Sequence, residues 1–410
     1  MNFEPSARAQ DYAARVRAFI EQHIAPIEQG HWNEILAANH GGDWTKWTIP
    51  AHVEELKAKA KAEGLWNLFL PDAAHGPGLS TLEYALSAEE MGKSLMAPEI
   101  FNCNAPDSGN MEVIWKYGSD AQKEQWLKPL LNGEIRSVFC MTEPDVASSD
   151  ATNMQATAIV EGDEIVLNGK KWWSSGIGDP RAKIAIFMAH TPNPDADRHH
   201  QHSMVLVPLD APGIEIKRMV PVFGEMDEPH GHGEVHFTNV RVPVANFISG
   251  PGMGFEIAQG RLGPGRIHHC MRCIGAAEHA LTLMIRRGMS RTAFKKPLLN
   301  LGGNRERVAE ARIAIDQARL LTLYAAWKID QVGSMGAMTE ISAIKVAAPN
   351  MLQMVVDMAI QIHGGAGVSR DTPLTAYFMQ GRSLRLADGP DEVHKGVIAR
   401  IELMKQGFFK

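Results

Sequence analysis

Cysteine is scarce, with four residues in 410. That is too few to staple a disulfide scaffold, so the fold must rest on a buried core, and a reducing compartment is expected. Net charge is small: 41 Lys and Arg against 47 Asp and Glu leave −6. A general nucleic-acid binder would show a basic footprint; a local basic pocket for an anionic ligand is still allowed. No apolar run reaches the roughly 18–20 residues of a membrane span, and the longest candidate, near Met351–Ile362, contains Asp357. The first residues, MNFEPSARAQ, lack a basic stretch followed by an apolar core, so no signal peptide is expected. These absences point to a soluble, cytoplasmic protein. With 45 % apolar and 21 % charged residues, wholesale disorder is excluded. What is abundant is methionine, at 21, and histidine, at 17, against only 5 tyrosines.

Three textures follow one another. Residues 1–136 read as helical, with apolar residues at three- and four-residue spacing and breakers at Gly41-Gly42, Gly76-Pro77-Gly78, Pro106 and Gly118. Ser80-Thr81-Leu82-Glu83 has the form of a capping box. Residues 137–248 read as short strands: Ala156–Val160 and Glu164–Asn168 about a Gly162-Asp163 turn, then Lys183–Ala189, Met204–Pro208, Ile214–Val220 and Val235–Val242. Residues 249–410 return to long helices, among them Arg305–Val332, Thr339–Ile362 and Asp391–Met404. The expectation is a multidomain α+β chain: an N-terminal all-α domain, a middle β-barrel or sandwich, and a C-terminal four-helix bundle. The β block lies between helical blocks, so this is not a Rossmann alternation.

Five clusters carry candidate chemistry. Residues 139–150, FCMTEPDVASSD, join the first two blocks; small hydroxyl residues there expose backbone N–H groups to a polar ligand edge, or form a plain interdomain loop. Residues 170–176, KKWWSSG, put two Trp and two Ser at a strand end, where rings wall a flat ligand or fill the core. Residues 291–297, RTAFKKP, set basic groups after a helix for phosphate contact or as a solvated turn. Residues 361–367, QIHGGAG, allow close backbone approach or simply end a helix. In residues 386–393, LADGPDEV, Asp388 precedes a helix with Pro390 expected at its first position. A carboxylate there is a candidate base with a raised pKa or a helix cap. His268-His269-Cys270-x-x-Cys273 is a single CxxC with no second pair, a weak metal signal inside a helix. His230, His232 and His236 alternate along a strand start, as ligands of a metal, as substrate contacts or as loop residues.

Together and in this order, the clusters resemble the acyl-CoA dehydrogenase family over nearly the whole chain. TEPDVASSDAT, KKWWSSG and LRLADGPDEVH are most similar to the branch associated with 4-hydroxy acid breakdown through phosphorylated acyl-CoA intermediates. In that branch's multidomain members a kinase-like region precedes the dehydrogenase, for which 410 residues leave no room. The resemblance implies FAD as cofactor, acyl-CoA as substrate, an electron-transfer flavoprotein as acceptor, a role in fatty acid metabolism and no metal. It places Met141 and Thr142 along the flavin edge, Trp173 and Ser175 near N5, and Ser148 or Ser149 near the pyrophosphate, in a loop one residue longer than the common TEPGAGSD form.

Arg291, Phe294, Gln361, Gly364 and Gly365 would contact FAD of a neighbouring subunit, implying a homotetramer or, alternatively, a homodimer. Pro390, in place of a usual Thr, and Glu392 would also touch FAD; Asn304-Arg305 stand where a His-Gln pair is usual. Asp388 matches the catalytic Glu of the family, one methylene shorter; the alternative base position falls near Gly265, which has no carboxylate. Arg266, His268, His269, Gly389 and Ser149 are the implied substrate contacts. Asp388 would take the α-proton while the β-hydride goes to flavin N5, with the Asp388 N–H and the ribityl hydroxyl holding the thioester carbonyl. Alternatives are an acyl-CoA oxidase or flavin monooxygenase on the same fold, or a metal-dependent enzyme built on the His clusters.

Overall fold

The computed structural model describes residues 4–193 and 195–408. The principal elements are helices α1 (Ala7–Phe19), α2 (Glu28–Ala37), α3 (Ala51–Ala62), α4 (Thr81–Met91) and α5 (Asp107–Tyr117). Strands β1 (Arg136–Cys140), β2 (Thr157–Glu161), β3 (Glu164–Ser175), β4 (Ala182–His190), β5 (His202–Pro208), β6 (Ile214–Met219) and β7 (His232–Pro243) follow. Helices α6 (Gly254–Ser290), α7 (Asn304–Gly336), α8 (Met338–His363), α9 (Leu374–Leu384) and α10 (Asp391–Lys405) complete the chain. The expected α–β–α order is what the chain adopts.

Tertiary packing groups these elements into two compact bodies. One comprises residues up to 26, 71–98 and from 263 on; the other comprises Ile27–Leu70 and Glu99–Leu262. The helices of the first 136 residues are thus shared out between them.

In the second body, β1 runs parallel to β4, while β4–β5, β2–β3, β3–β7 and β7–β6 are antiparallel, all within one seven-stranded sheet. The β2–β3 hairpin closes Glu161 on Glu164 through Gly162-Asp163, the two-residue turn that twisted strands favour. Val138, Phe187, Val205, Val235 and Phe237 share one buried core, as expected of a sheet curled on itself. The β3–β7 register slips between Lys171 and Ser174. Trp173 adopts φ 51° there and is 38 % exposed. A bulge re-aims a side chain that regular alternation would have turned elsewhere.

In the first body, Ser80 and Glu83 form the capping box at the start of α4, and Asp330 of α7 accepts from the N–H groups of Thr81 and Leu82. Helices α4 and α6 touch backbone to backbone: a Cβ on Gly275 would lie 1.9 Å from the Glu89 carbonyl oxygen. Arg319 of α7 forks onto Glu89 of α4 at 2.8–3.2 Å. Helix α8 with its following turn, Met338–Val368, is long and apolar enough to cross a membrane by length and composition, which differs from the expectation that no segment would be. Its buried side chains include Ile344, Lys345, Leu352 and Val355, and it packs against α7, α9 and α10 as the central helix of the bundle.

Candidate active site

Asp388 sits in the first body, in the turn between α9 and α10. Both Asp388 (φ 55°) and Gly389 (φ 97°) are left-handed, a conformation that Asp tolerates and Gly favours. Three donors, Arg266 half-buried and His394 and Lys345 buried, hold this turn by its carbonyls. Arg266 of α6 donates from Nε (3.2 Å) and Nη2 (3.0 Å) to the Asp388 carbonyl. His394 Nε2 donates to the same oxygen at 3.1 Å. Lys345 donates to the carbonyls of Leu384 and Gly389. Burial lowers the pKa of Arg266 and Lys345. Burial, aided by the charge of Arg266, brings His394 down to about 4, so it acts as a neutral Nε2–H donor. The Asp388 side chain is 21 % exposed, and its Oδ2 lies 3.5 Å from His269 Nε2.

Pro390 is the N-cap residue of α10, one position earlier than expected, and the helix opens on Asp391 and Glu392. Proline fits because no helical N–H is needed there. Asp391 is buried; burial would raise its pKa, but hydrogen bonds from Asn350 and Arg385 hold it below the ordinary carboxylate range. Glu392 is exposed.

The adjacent histidines of α6 part company. His269 borders Asp388, whereas His268 is buried edge-on against Tyr84 at 4.8 Å; burial holds its pKa well below the ordinary value. Arg266 is likewise directed at the Asp388 carbonyl. Gln361, Gly364 and Gly365 are exposed at the end of α8, and a Cβ on Gly364 or Gly365 would meet nothing within 4 Å. Arg291 leads into a two-residue hairpin whose tip, Phe294-Lys295, has both residues at positive φ; Phe294 is 90 % exposed. Asn304 begins α7 and bonds the Leu298 carbonyl at 2.7 Å. Gly265 lies within α6, with nothing within 4 Å of a Cβ placed there.

In the second body, residues 141–149 form a loop supported from beneath. Lys171, fully buried, donates to Glu143 Oε1 at 2.8 Å and to the Met141 carbonyl at 3.0 Å. Burial lowers its pKa to about 8 against the pull of Glu143. Glu143 also accepts from the N–H groups of Gln155 and Ala156. Met141 and Thr142 remain partly exposed. Ser148 Oγ accepts from the Glu143 N–H at 2.9 Å and so closes its own loop, while Ser149 is exposed. Beside the exposed face of Trp173, Ser175 Oγ lies 2.8 Å from His232 Nδ1.

His230 belongs to a buried ion cluster. Its Nε2 is 3.1 Å from Glu99 and its Nδ1 3.0 Å from Asp179; Arg136 and Arg181 join the same carboxylates. His236 pairs with Glu234 at 3.1 Å. The three histidines therefore face three different partners. Among the described residues, no group of three or more His, Cys, Asp or Glu side chains is arranged to hold a metal ion. Burial pushes the Cys273 thiol up to about 12 and that of Cys270 higher still, far from the thiolate that ligation needs.

Three family models match in succession: the acyl-CoA dehydrogenase N-terminal domain over residues 6–134, its middle domain over 138–240 and its C-terminal domain over 252–403. The chain belongs to the acyl-CoA dehydrogenase family. It is 55 % identical over 407 residues to acyl-CoA dehydrogenase family member 11 of Mus musculus, covering 98 % of this chain and 51 % of that protein. It is 51 % identical over 407 residues to "Probable acyl-CoA dehydrogenase FadE2" of Mycobacterium tuberculosis, covering 99 % and 98 %. The chain thus spans about half the length of the mouse relative and nearly all of the mycobacterial one. Among solved structures, one from Mycobacterium abscessus assigned to the acyl-CoA dehydrogenases superposes with a TM-score of 0.95 at 64 % identity, covering 98 % of this chain and 100 % of that one. Butyryl-CoA dehydrogenase of Megasphaera elsdenii gives 0.81 at 26 % identity, with 98 % and 100 % covered.

The acyl-CoA dehydrogenase fold accounts for the order of the blocks. It leaves unstated what holds the Asp388 turn. Lys345 stands outside the sequence clusters, while Glu143, Lys171 and His394 stand within them as polar residues without an assigned role. A lysine inside an otherwise apolar pattern is the available signal, because Lys is almost never fully buried without partners.

Proposed function

We propose that this chain catalyses FAD-dependent α,β-dehydrogenation of an acyl-CoA thioester, as the family's oxidoreductases do, with Asp388 as the base for the α-proton. The observation that carries the reading is the Asp388 turn. Its carbonyl is clamped by Arg266 and His394, while its carboxylate remains partly accessible. A partly buried carboxylate on a rigid support suits proton abstraction next to a thioester. The Asp388 N–H is available in this reading to hold the thioester oxygen as negative charge develops.

The residues present fit FAD. The exposed ring of Trp173 offers a wall for a flat ring system, with Ser175 beside it. The backbone at Gly364 and Gly365 is open and exposed, which allows close approach of a ligand. FAD, when bound, supplies the acceptor for the β-hydride. Met141, Thr142, Trp173 and Ser175 would hold the ring. Ser149 is favoured over Ser148 for the pyrophosphate, because Ser148 is engaged within its loop. Arg291, Phe294 and Gln361 would serve the FAD of a neighbouring subunit.

Exposed apolar residues Ile313 (58 %), Leu320 (52 %) and Trp327 (42 %) recur along α7 at seven-residue spacing. Such a stripe supports a homo-oligomer, taken here as a homotetramer. Electron transfer to an electron-transfer flavoprotein, acyl chains of the 4-phosphorylated branch, and a cytoplasmic setting complete the proposal. The last is supported by four buried cysteines with no disulfide among them.

The purified protein should be yellow and bleach anaerobically with acyl-CoA. Asp388→Asn should keep FAD and lose at least ~10²-fold in rate, the scale of a general base. A colourless protein that cannot be reconstituted with FAD overturns the reading. Rapid turnover with O₂ and peroxide release replaces dehydrogenase by oxidase. Equal rates on plain and 4-phosphorylated acyl-CoAs count against the branch.

A further inference from the structure

We propose that His269 is a positioning residue for the base: Arg272 locks it in the Nε2–H tautomer, and Nε2–H holds the Asp388 carboxylate. The inference rests on Asp388 being the base. Arg272 Nη2 lies 3.1 Å from His269 Nδ1. A guanidinium can only donate, so Nδ1 accepts and the imidazole proton resides on Nε2. That nitrogen lies 3.5 Å from Asp388 Oδ2. Arg272 is buried, 5 % exposed, and its backbone carbonyl packs closely on Gly92, where a Cβ would come within 2.3 Å. His269 and Arg272, three residues apart on α6, share a helix face.

The charged and titratable groups facing Asp388 are Arg266, His269 and Cys270 from α6, Lys345 from α8 and His394 from α10. Arg266 and His394 direct their donors to the Asp388 carbonyl, and Lys345 to the carbonyls of Leu384 and Gly389. His269 Nε2 lies 3.5 Å from the carboxylate, the approach through which it is proposed to act. Aspartate, a methylene shorter than the glutamate usual in the family, has less reach, so its carboxylate must be oriented from outside. In this proposal His269 acts indirectly, through the base.

The test is the pH profile of kcat/KM for acyl-CoA oxidation in the holoenzyme. His269→Leu should lower kcat about tenfold, less than loss of the base itself, and move the acidic limb upward, because a donor to the charged carboxylate is lost. KM should stay within about twofold, as expected for a group that does not bind ground-state substrate. His269→Gln, whose amide nitrogen reaches the place of Nε2, should shift the limb less than half as far. If His269→Leu fails to fold, His269→Asn, which cannot reach, replaces it with the same expectation. A wild-type kcat and limb in His269→Leu, or identical profiles for the Gln and Leu variants, overturns the proposal. Asp388→Asn run in parallel separates the two failures. If it is inactive while His269→Leu is wild-type, only the His269 role falls; if it is fully active, the assignment of the base falls as well.

Discussion

The guanidinium of Arg266 forks onto the main-chain carbonyl of Asp388, with both N–H donors within 3.2 Å of one oxygen. A half-buried arginine is thus committed to a backbone atom 122 residues away. Its hydrogen bonds fix the direction of the turn through the main chain. Lysine offers a single point of charge and cannot reproduce the fork. Arg266→Lys should therefore lower kcat about tenfold with FAD retained, and lower stability by about 1–3 kcal/mol, the range for losing charged hydrogen bonds. Stopped-flow flavin reduction and thermal melts check the two parts. Unchanged kcat would show that the clamp is not needed for catalysis.

Gly365 separates fold from cofactor. A Cβ there meets nothing within 4 Å, so Gly365→Val should melt within about 0.5 kcal/mol of wild type, as surface substitutions do. The same side chain would occupy the space proposed for FAD. The purified variant should show a low 450 nm to 280 nm absorbance ratio that added FAD does not restore. Full FAD occupancy in Gly365→Val removes this glycine from the cofactor site.

The His230 cluster should make stability pH-dependent on both sides. Burial would lower the pKa of His230, but Glu99 and Asp179 outweigh it and raise the value from 6.5 to about 9. Its contribution is then fully present below about 6.5 and lost as pH rises through about 9. For Asp179, burial is outweighed by His230, Arg181 and Arg136, and the pKa is depressed from 3.8; that contribution is present above 3.8 and lost in acid. His230→Gln should be less stable than wild type by about 1–3 kcal/mol at pH 6, and the gap should close towards pH 10. Thermal melts at both pH values measure it; a constant gap would contradict the charge pairing.

Lys171 supports the loop of residues 141–149 through Glu143 and the Met141 carbonyl. Lys171→Met leaves the Glu143 carboxylate buried beside an apolar side chain, at a cost of about 3–5 kcal/mol. Lys171→Met combined with Glu143→Gln removes the stranded charge and should recover most of the loss. Chemical denaturation of the single and double variants gives the coupling directly. A fully additive double variant would show that the two groups do not act as a pair.

Much of this architecture is legible in local patterns. The Ser80 capping box, the Gly162-Asp163 hairpin and the switch of apolar spacing from three and four to two depend only on neighbouring residues. The clusters around Met141, Trp173, Gly364 and Asp388 stand out for the same reason, since runs of small, aromatic and acidic residues interrupt those patterns. Side-chain direction is less legible. His268 and His269 differ by about 100° around the helix, enough to turn one towards Tyr84 and the other towards Asp388. Even so, adjacency alone does not tell which faces which.

By itself, then, the sequence determined the α–β–α order, the elements and the pool of residues able to bear chemistry, because periodicity, caps and turns act over a few residues. Only the tertiary structure decided which of them meet and what each one bonds. It turned Trp173 outward through a bulge and committed Ser148 to its own loop. It placed Pro390 at the N-cap, distributed the alternating histidines among separate partners and set Arg266, His394 and Lys345 on the carbonyls of the Asp388 turn. Each of these outcomes depends on desolvation and hydrogen-bond partners brought together from distant parts of the chain, which no local pattern encodes.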